Sequence, residues 1–167
     1  MERVLGYIAL AGFVLSLAVH VSALLGVDLS AAAPYVWLLH GGVFVVFIPL
    51  VIFSRKQLGA RPRLSEIRAV FPRWTIAAGI AVAAYTLVNF VLFMAATEGG
   101  SPAIHEGTYV LQNHGHILRE LTAAEYAAFK TNEVRGFSGH WLLFYFVPFA
   151  YFMFRRQTQP ARGTPPA

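Results

Sequence analysis

The stretch VLGYIALAGFVLSLAVHVSALLG, residues 4–26, contains no charged side chain and decides the class of this fold. A helix of roughly 20 apolar residues crosses a bilayer core about 30 Å thick. Residues 4–26 are therefore long enough to span a membrane. The apolar core of a secretory signal peptide is shorter, about 7–15 residues. We therefore expect this stretch to be retained as a first transmembrane span.

Three further stretches are also apolar and uncharged, and the last of them is shorter but rich in Phe and Tyr. The sequence thus predicts an all-α membrane protein, a four-transmembrane-helix bundle with a structured outer loop between spans 3 and 4. One membrane domain is expected over residues 1–154, followed by a flexible cytoplasmic tail over 155–167. The predicted spans are residues 4–26, 35–53, 74–97 and 137–154.

Composition supports this class. Hydrophobic residues make up 57% of the chain and charged residues 13%, whereas a soluble domain is about half apolar and a quarter charged. A soluble enzyme, a disordered tail and a collagen-like repeat are therefore disfavoured. The chain has no cysteine, which excludes a disulfide framework, a thiolate metal site and a thiol nucleophile.

The basic residues indicate an orientation, because cytoplasmic loops of membrane proteins are enriched in Lys and Arg. Ten of the thirteen fall on one side of the predicted spans, together with both termini. We therefore expect a bacterial-type inner (plasma) membrane protein with both termini in the cytoplasm. These residues are expected to contact anionic headgroups of the lipid bilayer. They form no single basic face, so no nucleic-acid partner is expected.

The outer segment, residues 98–138, is expected to fold into a lid over the outer ends of the spans. Two runs of strand-forming residues, 108–112 and 116–121, flank Asn113-His114-Gly115. Asn and Gly adopt positive φ at little cost, so this pattern predicts a short β-hairpin.

A helix is expected to follow the hairpin. Thr122 and Glu125 have the spacing of a capping box, which predicts an interfacial helix over about 123–134. A turn over residues 135–141 should then lead into the membrane, with Ser138 capping the last span.

All six histidines fall on the outer side of this topology. His20 and His40 are expected at one depth on neighbouring spans, with His140 at the outer surface and Asn89 completing the cluster. Imidazole binds Zn, Cu, Fe and Ni and can ligate haem axially. The candidate cofactor-binding residues are therefore His20, His40, His140 and Asn89, and the three histidines are the candidate metal ligands. Interhelical hydrogen bonding and proton handling are the alternatives for His20 and His40.

No catalytic residue is predicted. The sequence lacks a zinc-protease motif, a phosphate-binding glycine loop and a dinucleotide fingerprint. Ser16 lies one turn before His20 but has no credible acid to orient the imidazole. The predicted spans also lack the ionisable residues that proton relays use, apart from histidine.

The leading hypothesis is a small membrane protein that acts as an accessory or interaction protein, without catalysis of its own. Its partner would be another membrane protein, or a second copy joined through the small-residue faces Gly12/Ser16 and Gly79/Ala83. The alternative for these faces is close packing between helices of the same bundle. One alternative is an outward-facing histidine site that binds a metal or haem for electron transfer or metal handling. The other is a small proton-coupled transporter. The cofactor is unknown: none is expected first, with a metal or haem as the alternative.

Overall fold

The computed structural model describes residues 1–156, which are mostly helical and include one small β-sheet. Most of the predicted cytoplasmic tail lies outside the described residues. A 3₁₀ turn, Pro34–Trp37, leads directly into the third α-helix. The elements in chain order are α1 (Glu2–Leu24), α2 (Leu29–Ala32), α3 (Leu38–Leu58), α4 (Leu64–Val70), α5 (Arg73–Ala95), β1 (Ser101–His105), β2 (Thr108–Asn113), β3 (His116–Glu120) and α6 (Ala123–Phe154).

Four of these segments are long and apolar enough to cross a membrane: α1, Pro34–Leu58, α5 and α6. This confirms the presence of the four predicted apolar helices. Much of their apolar surface is not covered by protein. Only 11% of the most apolar window of α5 is buried, which fits a helix surrounded by lipid.

Helix α6 is the element on which the others pack. It contacts α1 most extensively and also α5 and α3, while α1 contacts α3. Trp141 and Tyr145 of α6 are almost fully buried in the main apolar cluster, with Ala9 and Val19 of α1 and Val46 of α3. The shared core is therefore built around one face of α6.

Glycines let α1 and α5 approach α6 closely. A Cβ atom on Gly12 of α1 would lie 2.2 Å from a ring carbon of Tyr145. A Cβ atom on Gly139 of α6 would lie 2.1 Å from Nδ2 of Asn89 in α5, and one on Gly79 would lie 3.5 Å from Phe146. The predicted small-residue faces of α1 and α5 thus lie against α6 of the same chain.

The sheet is antiparallel, with strand order β1-β2-β3. The predicted hairpin is confirmed as β2 and β3, joined at His114 and Gly115, which both have positive φ. The first strand was not predicted. It pairs with β2 through a turn at Glu106 and Gly107, again with positive φ, and Pro102 is tolerated because β1 is an edge strand.

The predicted turn over residues 135–141 is wrong, because α6 is one continuous helix of 32 residues. Its start is as predicted: Thr122 and Glu125 form the capping box. Ser138 does not cap a span. It is fully buried within the helix and donates a hydrogen bond to the Val134 carbonyl at 2.6 Å. Gly136, Ser138 and Gly139 resemble a turn in sequence, but here their small size admits neighbouring side chains.

Helix α6 also carries the sheet. At 1.5 Å per residue it is about 48 Å long, longer than the roughly 30 Å core of a bilayer. Leu111 and Leu121 pack on Phe129 near the start of α6. Arg119 forms ion pairs with Glu98 at 3.1 Å and Glu125 at 2.7 Å. Its guanidinium donates hydrogen bonds to both carboxylates, and these bonds, chiefly the one to Glu125, raise the pKa of Arg119. The sheet is thus fixed to α6 and to the chain after α5.

Close packing at Gly12 predicts that adding a side chain there destabilises the protein, whereas the same change at Gly41 does not. Gly12→Ala should lower the free energy of unfolding by about 1–3 kcal/mol, the usual cost of overpacking, because the new methyl group would meet the Tyr145 ring. Gly41→Ala is the matched control, since its Cβ would meet nothing within 4 Å; it should be neutral or slightly stabilising. Unfolding in mixed micelles followed by circular dichroism measures both variants. Equal losses would contradict the proposed contact.

Candidate functional site

His20 is the most enclosed of the predicted site residues, with 2% of its surface exposed. Its Nδ1 lies 2.9 Å from Oγ of Ser138, and its Nε2 lies 2.5 Å from the hydroxyl of Tyr85. The Ser138 proton is already directed to the Val134 carbonyl, so Ser138 accepts from Nδ1–H of His20. Nε2 then accepts from Tyr85. Both ring nitrogens are engaged, and the hydrogen bonds join α1, α5 and α6.

The polar side chains of α5 are engaged in the same way. Asn89 donates from Nδ2 to the carbonyl of Arg135 at 3.2 Å, and Thr86 donates to the carbonyl of Gly139 at 3.1 Å. Both side chains are buried. Polar groups inside an apolar helix assembly gain most by bonding to a neighbouring helix. The arrangement at His20 and Asn89 therefore supports the interhelical hydrogen-bonding alternative.

His40 lies on α3 and is exposed. Its Nδ1 accepts a hydrogen bond of 3.0 Å from Nε1 of Trp141. An indole N–H can only donate, so Nδ1 carries a lone pair and the proton of the neutral ring is on Nε2. His40 therefore offers an N–H donor.

His140 on α6 has the opposite tautomer. Its Nδ1 lies 2.8 Å from the carbonyl oxygen of Gly136. A carbonyl can only accept, so Nδ1 carries the proton and Nε2 of the neutral ring has a lone pair. His140 therefore offers a hydrogen-bond acceptor, or one metal ligand.

The three predicted metal ligands do not form a common ligand set. Only His140 has a free lone pair in the neutral state, because His20 is engaged at both nitrogens and Nε2 of His40 is protonated. Residues 1–156 contain no group of three or more His, Cys, Asp or Glu that could hold a metal ion. The metal and haem hypotheses stay predictions, and this hydrogen-bond pattern disfavours them.

His40 and His140 do come together in one place. Both line a groove of about 550 Å³ between α3, α5 and α6, whereas His20 is not part of its wall. Trp141 also faces this groove, and six phenylalanines form the rest of its aromatic lining: Phe44, Phe47, Phe90, Phe93, Phe137 and Phe144. The groove is almost wholly apolar apart from its two imidazoles.

Arg135 is a further candidate binding residue, in addition to the three histidines and Asn89 selected from the sequence. Its Nε and Nη2 are buried and have no hydrogen-bond partner among residues 1–156. The side chain lines a cavity of about 560 Å³ together with Asp28, Thr131 and Asn132. The sequence assigned Arg135 to a turn at the outer surface, where water would solvate it. Its burial follows from the unbroken course of α6.

The chain matches no protein-family model, no curated protein and no solved structure. Two features of its geometry bear on its function: the sheet carried by α6, and the groove that contains His40 and His140.

The hydrogen bonds at His20 predict a stability effect. Ser138→Ala should cost about 1–3 kcal/mol of unfolding free energy, because it leaves the buried Nδ1–H of His20 without an acceptor. Ser22→Ala is the control: Ser22 is only partly buried and its hydroxyl bonds only to the Ala18 carbonyl of its own helix, so a change within about 0.5 kcal/mol is expected. Both can be measured by unfolding in mixed micelles. A Ser138→Ala protein as stable as the control variant would refute the assigned hydrogen bonds.

Proposed function

We propose that this protein is a four-helix-bundle accessory protein of a bacterial-type inner membrane, which binds a partner protein through its sheet. The observation that carries the proposal is a fixed sheet with large apolar side chains left uncovered. Ile104, Ile117 and Leu118 are 60%, 49% and 50% exposed. Exposed apolar side chains outside the membrane-crossing helices are candidates for an interaction site.

Charge favours a protein over a lipid surface as the partner of these exposed side chains. Residues 98–138 carry five acidic side chains and three basic ones. Glu98 and Glu125 pair with Arg119, whereas Glu106 and Glu120 are exposed. An acidic surface is repelled by anionic headgroups. The expected partner surface is therefore apolar with basic residues at its edge.

The helices support a non-catalytic role. His20, Asn89 and Thr86 are engaged in hydrogen bonds between helices, and these bonds stabilise the assembly. The small-residue faces at Gly12 and Gly79 lie against α6. The sheet is therefore the better candidate for an interaction surface than these faces, for which the sequence left packing within the bundle and self-association open.

Site-specific photocrosslinking tests the proposed partner. A benzophenone amino acid at Ile104 should give a discrete adduct with one protein in native membranes. Adding Ile117→Asp to the same chain should reduce that adduct at least several-fold, because it places a charge in the apolar contact. The same probe at Leu87, which is 64% exposed on α5, is the control for nonspecific capture. An adduct insensitive to Ile117→Asp, or one also formed from Leu87, would reject the sheet as the contact.

The proposed orientation has its own test, made simple by the absence of cysteine. Gly115→Cys, in the β2–β3 turn, should react with a membrane-impermeant maleimide added to spheroplasts. Ala60→Cys, between α3 and α4, should react only after the membrane is opened. The reverse labelling pattern would overturn the orientation with both termini in the cytoplasm.

A further inference from the structure

The groove between α3, α5 and α6 differs from two other apolar grooves in residues 1–156. A groove of about 580 Å³ between α1 and α3 and one of about 320 Å³ beside α4 and α5 contain no histidine. Only apolar contacts and occasional hydroxyls are available there, which suits a lipid acyl chain. The groove that contains His40 and His140 adds two imidazoles in an equally apolar setting.

Each imidazole is hydrogen-bonded through Nδ1 to a residue of the groove wall. Trp141 donates to Nδ1 of His40, and His140 donates from Nδ1 to the Gly136 carbonyl. Nε2 is therefore the nitrogen that each ring can offer to a ligand. Both residues line the same groove, so the neutral pair can supply it with one N–H donor and one acceptor. For the neutral rings, this combination follows from the two hydrogen bonds at Nδ1.

We propose that this groove binds a lipid-soluble aromatic ring that carries hydroxyl groups, a phenol or hydroquinone, with its oxygen substituents hydrogen-bonded to His40 and His140. A hydroxyl can donate to Nε2 of His140 and accept from Nε2–H of His40. A metal ion would need two lone pairs, and an anion would need two donors. A ring with carbonyl groups alone would leave His140 without a donor.

The walls and the opening fit the same class of ligand. Ligand pockets are commonly 300–1,000 Å³, and this groove of about 550 Å³ accommodates one substituted ring. Aromatic side chains favour edge and face contacts with another ring. Phe93 and Phe137 are 6.4 Å apart, and Phe90 is 5.3 Å from the ring of His140. Phe44 is 57% exposed, so the groove opens sideways, where a lipid-soluble molecule would enter.

Matched probes test this proposal on the full chain in nanodiscs. The labelling reagent is an alkylphenol that carries a diazirine, and the competitors are 4-hexylphenol and 4-hexylanisole. The anisole has the same ring and tail but cannot donate. One hydrogen bond corresponds to about a three- to tenfold difference in affinity, so 4-hexylphenol should compete better by that factor. Mass spectrometry should place the label on residues 40–47, 90–93 or 137–144.

Histidine variants test whether the difference between the phenol and the anisole depends on the imidazole of His140. His140→Phe removes the acceptor and should bring the phenol-to-anisole ratio close to one. His116→Phe, on an exposed strand, is the control and should keep the wild-type ratio. Equal competition by the two compounds in the wild-type protein, or labelling centred on the α1–α3 groove, would overturn the proposal. This wild-type comparison decides the question even if a variant does not fold, and it is independent of the partner bound by the sheet.

Discussion

The close contact of α1 and α5 with α6 is the constraint on which the rest of the structure depends. It exists because Gly12 and Gly139 leave room for the ring of Tyr145 and the amide of Asn89. At that separation His20 reaches both Ser138 and Tyr85. In apolar surroundings an unmet hydrogen bond is costly, so packing and hydrogen bonding select the same arrangement of helices.

The histidines show how a fold assigns chemistry to identical side chains. His20 is engaged at both nitrogens, His40 is left as a donor and His140 as an acceptor. The difference comes from the hydrogen-bond partners of each ring. His20 bonds to a serine and a tyrosine, His40 to an indole, and His140 to a backbone carbonyl. Such partners fix the tautomer of an imidazole and hence what it can bind. From residue type alone, all three histidines were predicted to be equivalent metal ligands.

The length of α6 connects the two candidate functions. Its first turns support the sheet through Phe129 and Glu125, and its later turns supply His140 and Trp141 to the groove. Arg135 lies between these regions, with two buried nitrogens that lack hydrogen-bond partners in residues 1–156. The sheet and the groove are thus attached to one continuous helix, which fixes their relative position.

The sequence by itself determined the elements whose signals are local. Uncharged runs predict the four apolar helices, Asn113-His114-Gly115 predicts the β2–β3 hairpin, and Thr122 with Glu125 predicts the start of α6. Only the tertiary structure decided that residues 135–141 stay helical, that β1 joins the sheet, and that His40 and His140 share a groove while His20 does not. The physical reason is that small residues have two uses, in turns and in close packing. Which one applies depends on whether another helix lies against them.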